Sequence, residues 1–226
     1  MKSLLKSIRW RFVERFYADH GKSAHVTKEL QLLLGELPAS ATGLNVGAGS
    51  SRLDPRLKNL DLKDGPLVDI VGDAANLPLP DCSLDLVVTQ ETLEHVSDPA
   101  TVMREVARVL RPGGKLYLQV PFIIGFHPSP HDYWRFTEEG ISRLAESSGL
   151  RAVRRQQSVG AATGFYRVAV EFFAILLSGK STPLYRVVKA IFSVLLFPVK
   201  RLDTVCARSP QAGRIAGGFY VVAVKD

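Results

Sequence analysis

The sequence predicts an α/β sandwich built on a mostly parallel sheet, and three observations predict it. From residue 43 onward, short β-rich runs alternate with helical stretches. The first of those strands runs straight into a glycine turn, Leu44-Asn45-Val46-Gly47-Ala48-Gly49. The chain has 226 residues, 46% of them hydrophobic and 23% charged, which is enough for a real core and excludes disordered or fibrous classes.

The elements follow in order. Residues 1–28 predict an amphipathic helix, with Leu5, Ile8, Phe12 and Phe16 on one face and Lys6, Arg9, Arg11 and Arg15 elsewhere. Strands are expected at 44–46, 59–62, 68–71, 84–89, 115–120, 152–159 and 218–224. Between them, 99–110 places Val102, Val106, Val109 and Leu110 on one helical face, and Arg111-Pro112-Gly113-Gly114 stops that helix. Thr137 caps a second helix that runs to Ser148 and ends at Gly149. Two apolar stretches, 168–177 and 184–199, flank Gly179-Lys180-Ser181-Thr182-Pro183. Each is shorter than the roughly 20 apolar residues that cross a bilayer and carries charge or proline, so a helical hairpin lying on an apolar surface is expected.

Charge is uneven. Residues 1–28 carry seven Lys or Arg against two acids, residues 151–226 twelve against three, and the middle is acidic, within a net charge of +7. A nucleic-acid coat needs a continuous basic face, so no nucleic acid is expected as partner. Two cysteines, Cys82 and Cys206, cannot build a disulfide framework, and the first ten residues lack the apolar run of a secretory signal. The expected location is cytoplasmic.

The glycine turn admits three readings, and spacing separates them. A dinucleotide fingerprint needs a glycine where Arg52 stands. A phosphate loop needs one where Phe16 and Ala174 precede the two Gly-Lys-Ser triplets. What remains is a turn that lets backbone approach a ligand without a Cβ in the way. Asp61 closes the second strand, where a carboxylate can accept ribose hydroxyls, and Asp73 follows the third, where it can read an adenine edge; either alone also suits a solvated turn.

The run from Leu44 through Gly114 resembles the class I S-adenosylmethionine-dependent methyltransferases of the type 11 branch. The matching pieces are Leu44-Asn45-Val46-Gly47-Ala48-Gly49, Asn59-Leu60-Asp61, Gly72-Asp73-Ala74 with Leu77-Pro78, the run 81–88, Glu91-Thr92-Leu93-Glu94-His95-Val96, and Arg111-Pro112-Gly113-Gly114. The resemblance implies a seven-stranded Rossmann-like methyltransferase sheet with flanking helices and an antiparallel last strand, occupying 29–226, with a hydrophobic basic helical insertion at 160–217. It implies S-adenosyl-L-methionine as cofactor, with Gly47, Ala48 and Gly49 facing its methionine part. Asp61 and Leu62 would face the ribose, Asp73 and Ala74 the adenine, and Gln90 the wall beneath the sulfonium. His95 would cover the adenosine or touch the acceptor. Asn45 stands where the family usually has an acid, so its contact with the cofactor's amino group would be neutral. Fourteen residues from Gly47 to Asp61 leave room for only a turn in place of the first helix.

The loop after the fifth strand carries two histidines, a carboxylate, a phenol, an indole and a guanidinium: Phe126-His127-Pro128-Ser129-Pro130-His131-Asp132-Tyr133-Trp134-Arg135. In a catalytic reading His127 or His131 is a base, Asp132 orients it, and Tyr133, Trp134 and Arg135 shape the acceptor pocket, with Arg135 suited to an acidic group. In a structural reading Asp132 pairs with Arg135 and the aromatics fill the core. In a third, His127, His131 and Asp132 hold a metal; the prolines keep the histidines off a helix and no further ligand is evident, so no metal is expected. Glu94 would begin a helix, and His95 suits a packed histidine at the strand-to-helix junction as well as a ligand contact.

These readings imply methyl transfer, with oxygen favoured, to a small-molecule, glycan or lipid-linked acceptor. The alternative is an inactive methyltransferase-fold scaffold at a membrane surface, motivated by Asn45 and the missing first helix. RNA methylation lacks a base-holding motif. The 160–217 insertion, apolar and basic, is expected to contact an anionic membrane surface, as a peripheral protein on its inner face, or to form a lid or a homodimer patch.

Overall fold

Strands form where β-branched and leucine-rich runs are bounded by Gly, Pro and Asp. They are β1 (Gly43–Val46), β2 (Leu57–Asp61), β3 (Ile70–Val71), β4 (Leu84–Gln90), β5 (Leu110–Pro121), β6 (Leu150–Val159) and β7 (Gly218–Lys225). In the computed structural model, which describes Phe16 and residues 23–226, they make one seven-stranded sheet in the order β3-β2-β1-β4-β5-β7-β6. The pairs β1–β2, β1–β4, β2–β3 and β4–β5 are parallel, and β7 is antiparallel. The chain winds outward from β1 to β3, then returns to the other side of β1 as β4. That reversal opens a crevice at the carboxyl ends of β1 and β4, where open α/β sheets bind ligands.

Three helices serve the sheet. α1 (Ala24–Glu36) buries Leu30 and Leu33 and was not legible as a separate element. α2 (Pro99–Val109) starts at Asp98, whose carboxylate accepts from Thr101 N at 3.1 Å, and turns Val102, Met103, Val106 and Val109 inward. α3 (Glu138–Ser147) is capped by Thr137, whose Oγ1 accepts from Gly140 N at 3.0 Å, and gives way to Gly149 at φ +83°.

Two expectations need adjusting. Arg111-Pro112-Gly113-Gly114 does end α2, yet it forms no loop: it is the irregular start of β5, with a register shift opposite Leu84 and Leu86. Arg111 holds it there, pairing with Asp85 at 2.9 Å and donating to the Ser83 carbonyl at 3.0 Å. Of the amphipathic helix expected at 1–28, residues 1–15 and 17–22 lie outside the described residues; Phe16 is described, its ring meeting Phe197 edge-on at 5.0 Å, and residues 24–28 are the opening of α1. The link from β1 to β2 contains no helix, as the short spacing predicts. Its shape is fixed by Arg52, which donates twice to Asp69 at 2.9 Å, and by Arg56, which donates to the Leu34 and Leu37 carbonyls at 2.8 Å.

The described chain divides into two compact units. The larger holds 27–121, 126–157 and 219–226; the smaller holds 158–218 with 122–125 and the described residues up to Val26. The smaller unit is a hairpin of α4 (Ala161–Ser178) and α5 (Thr182–Leu195), followed by short turns through Ile215. Its helices start and end close to the hairpin expected from the sequence, α4 beginning seven residues earlier than the apolar run suggested.

In the larger unit the end of β7 secures α2. Lys225 Nζ donates to the carbonyls of Ala107 at 2.6 Å and Leu110 at 2.7 Å, placing a cation against the helix's exposed C-terminal carbonyls. Replacing Lys225 by Met removes both bonds and the charge. The expected cost is about 2 kcal/mol, a fall of roughly 4–8 °C in melting temperature by calorimetry; an unchanged melting temperature contradicts this anchor.

Candidate active site

The site is built where β1, β2 and β4 end. After Val46 the chain turns at Gly47, with φ +68°, and at Gly49, with φ +56°, values that L side chains rarely adopt. Both Gly47 N and Ala48 N donate to the Leu60 carbonyl, at 2.9 and 3.1 Å, which ties the turn to the end of β2. A Cβ on Gly47 would meet the Thr92 side chain at 2.2 Å, so glycine is required for space as well as for conformation. At Gly49 a Cβ would meet nothing within 4 Å; it would project into the hollow that the turn borders.

That hollow is a cleft of about 280 Å³, close to the small end of the roughly 300–1,000 Å³ range of ligand pockets. Gly47, Gly49, Asp61, Leu62, Asp73, Ala74 and His95 all line it, so seven positions expected from the sequence converge on one space, with Gly72 beside them. The Asp61 carboxylate accepts from Gly49 N at 2.9 Å and from Lys63 N at 3.1 Å, and Asp73 accepts from Ala75 N at 2.9 Å. Each oxygen so engaged keeps a second lone pair, which suits ribose hydroxyls at Asp61 and an adenine amine at Asp73. The glycine cradle, a carboxylate at the end of β2 and another after β3 fit an adenosyl cofactor.

Three expected cofactor contacts are placed elsewhere. Asn45 is 3% exposed and lies opposite Asn59 in the β1–β2 register, so its amide donates to Asn59 Oδ1 at 3.1 Å and stays inside the sheet. Gln90 donates to Gln119 Oε1 at 3.0 Å. Ala48 is buried beneath the turn. None of the three lines the cleft. Asn45 thus belongs to a polar ladder: Asn59 Nδ2 donates on to the carbonyls of Ser51 and Leu67.

The loop after β5 separates its candidates. Asp132 accepts from His127 N at 2.8 Å and pairs through both oxygens with Arg135, at 2.6 and 2.7 Å. The Arg135 guanidinium holds the Asp132 carboxyl at about 2, and the carboxylate in turn raises Arg135. His127 Nδ1 stands 3.3 Å from Arg135 Nη2 and 3.5 Å from Asp132 Oδ2. His131 is not part of this group. It is exposed, its ring stacks on Tyr133 at 5.2 Å, and what it offers is its carbonyl, which accepts from His95 Nδ1 at 2.5 Å. Trp134 is likewise turned to a backbone partner, donating from Nε1 to the Val96 carbonyl at 2.9 Å.

Three residues at the site were not picked out as functional. Glu91, at φ +52°, is a strained non-glycine residue on the cleft wall, and Thr92 fills the space behind Gly47. Glu94 is fully buried, and among the described residues neither of its carboxylate oxygens has a hydrogen-bond partner. Its Oε1 lies 3.6 Å from His95 Nε2 and 3.8 Å from His127 Nε2, and the two imidazoles meet edge-on at 5.3 Å. Burial pushes the Glu94 carboxyl above its ordinary value. Because His95 Nδ1 must donate to a carbonyl, the neutral ring presents Nε2 as an acceptor toward Glu94.

The donor atoms of Glu94, His95 and His127 fall within 4.8 Å of one another, the one such trio among the described residues. The set weighed from the sequence, His127, His131 and Asp132, is not drawn together. Burial raises the carboxyl of the trio, and its imidazoles are separately oriented by the His131 carbonyl and by the Asp132–Arg135 pair.

Residues 25–118 match the methyltransferase domain family model of type 11. The chain is similar to a probable S-adenosylmethionine-dependent methyltransferase of Mycolicibacterium smegmatis, 48% identical over 92 residues, which is 38% of this chain and 36% of that protein. It is also similar to the 27-O-demethylrifamycin SV methyltransferase of Amycolatopsis mediterranei, 40% identical over 78 residues, 34% of this chain and 28% of that protein. The chain therefore spans about a third of the length of these relatives. In fold it is similar to the 1,6-didemethyltoxoflavin-N1-methyltransferase of Burkholderia thailandensis, solved with S-adenosylhomocysteine bound, at a TM-score of 0.57 and 16% identity over 99% of this chain and 89% of that one. The strand order, the cleft at the β1 turn and the matched segment agree in supporting a class I S-adenosylmethionine-dependent methyltransferase of the type 11 branch.

Proposed function

We propose that the chain transfers a methyl group from S-adenosylmethionine to a hydroxyl oxygen of a small-molecule, glycan or lipid-linked acceptor. The observation that carries this reading is the proximity of two things: a glycine-lined cleft ending in Asp61 and Asp73, and a buried Glu94 set against two imidazoles, one of which, His95, is a wall of that cleft. The oxygen acceptor is also in keeping with the name of the Amycolatopsis relative.

Bound in the cleft, the cofactor supplies an electrophilic methyl group. The protein's own work is to align the acceptor, exclude water and receive a proton. Gly47 and Gly49 admit the cofactor against backbone, Asp61 holds its sugar, and Asp73 with Ala74 its base. The acceptor hydroxyl would give its proton to His95 Nε2 while its oxygen takes the methyl group and the thioether, S-adenosylhomocysteine, departs with the electron pair of the broken carbon–sulfur bond. The His131 carbonyl keeps that imidazole in the required tautomer, and the Glu94 carboxylate counters the imidazolium charge. His127, held by Asp132 and Arg135, faces the same carboxylate from the other side. Separations of 3.6 and 3.8 Å are longer than hydrogen bonds and close to bonding distance when an acceptor fills the site, as catalytic contacts commonly do.

Asp61→Ala is expected to weaken S-adenosylhomocysteine binding roughly 10–100-fold, the loss of a charge-assisted bond to a hydroxyl, while leaving the melting temperature of the unliganded protein close to wild type. Fluorescence titration reads the first and calorimetry the second. Equal affinity removes Asp61 from the site.

Glu94→Gln and His127→Ala are expected to lower turnover of a cell-envelope acceptor, followed by transfer of label from S-adenosylmethionine, by about 10²–10⁴-fold, with cofactor binding little changed. Because burial raises the Glu94 carboxyl, the rate of the wild type should rise with pH along a limb lying above the ordinary glutamate range, and Glu94→Gln should remove that limb. A limb at the usual carboxylate position, or one that persists in the variant, contradicts the assignment.

A further inference from the structure

The smaller unit carries a feature that methyl transfer does not use. α4 is predominantly apolar, with Arg167 and Glu171 its charged residues. One side is buried at Tyr166, Val170 and Ala174, yet the opposite side repeats large apolar residues in steps of three and four, from Phe165 through Phe172 to Leu176. α5 does the same from Leu184 through Ile191 to Leu195. Phe172, Leu176, Ile191 and Leu195 are 50–64% exposed, and large apolar residues repeating along one helix face mark a surface that is ordinarily covered.

The two stripes belong to a firm platform. Phe173 of α4 stacks on Phe192 of α5 at 4.5 Å, Tyr166 Oη donates to the Ser193 carbonyl at 3.1 Å, and Glu171 accepts from both Tyr185 and Lys189. Asp203 caps α4, accepting from Ala162 N at 2.7 Å and Thr163 N at 3.2 Å.

Those contacts also settle the charge. Residues 158–218 contain eight Lys or Arg and two acids, Glu171 and Asp203, and both acids are engaged inside the unit. Lys180, Arg186, Arg201, Arg208 and Arg214 are exposed, and none is ion-paired among the described residues. An apolar face on a unit with unopposed cations is complementary to an anionic lipid surface, where the face sinks to the acyl boundary and the cations meet phosphate. A second copy of the same unit would bring like charges together.

We propose that the α4–α5 hairpin docks the protein on an anionic bilayer, lying in the interface plane with its outward stripes immersed. α4 is long and apolar enough to cross a membrane, but 56% of its apolar window is buried against protein, which leaves a single face for lipid. This docking is independent of the chemistry at the cleft.

The test is flotation of the full-length protein with phosphatidylcholine vesicles containing or lacking phosphatidylglycerol, beside Leu176→Glu/Ile191→Glu and Arg186→Glu/Arg201→Glu variants. The wild type should bind the anionic vesicles at least about tenfold more strongly than the neutral ones, and each double variant should lose about tenfold or more of that binding. Melting temperatures close to wild type should show that the variants are folded, since the replaced side chains are exposed. Equal binding to both vesicle types, no binding, or unimpaired variants overturns the proposal. So does a stable wild-type dimer in sedimentation that the apolar variant splits, which assigns the face to a second copy.

Discussion

The carboxyl end of the sheet depends on the left-handed backbone at Gly47. Its amide and that of Ala48 share the Leu60 carbonyl, and the place of its absent side chain is taken by Thr92 from the turn after β4. One residue thus joins the ends of β1, β2 and β4. Any side chain there meets Thr92 and carries the strain of a positive φ, so the turn would open and the cleft would lose its floor. The hollow beside Gly49 exists because the chain bends this sharply and then leaves the space empty.

Around that turn the acids are sorted by environment. Asp132 is held near 2 by a two-pronged bond from Arg135, while Glu94, a few ångströms from the same histidine, is pushed upward by burial. Two carboxyls displaced in opposite directions thus stand beside shared imidazoles: the lowered one fixes the loop through Arg135, and the raised one is the group that exchanges a proton in the proposed mechanism. The pair that the structural reading of the loop expected, Asp132 with Arg135, is present, and it holds His127 beside it.

What the sequence makes legible is local. Alternation of strands and helices, glycines at a strand end, and carboxylates at successive strand ends each depend on neighbours a few residues away, and Gly47, Gly49, Asp61 and Asp73 fall where that logic puts them. What it hides is decided by distant contacts. Asn45 faces Asn59 because of strand register, Gln90 faces Gln119 across β4 and β5, and Glu94 becomes a buried charge when the loop after β5 folds over it, with Tyr133 N donating to its carbonyl at 2.7 Å. His131 looks like a catalytic histidine in one dimension and contributes a carbonyl in three. The insertion was visible as apolar and basic, whereas the alignment of its exposed residues into two stripes needed the packing of α4 on α5.

The most direct test of the account is a crystal structure of the full chain with S-adenosylhomocysteine. The account predicts the ribose hydroxyls against Asp61, the adenine beside Asp73 and Ala74, and the amino-acid end over the Gly47–Gly49 turn. A ligand lodged elsewhere, or a cleft closed by its own side chains at saturating ligand, contradicts it.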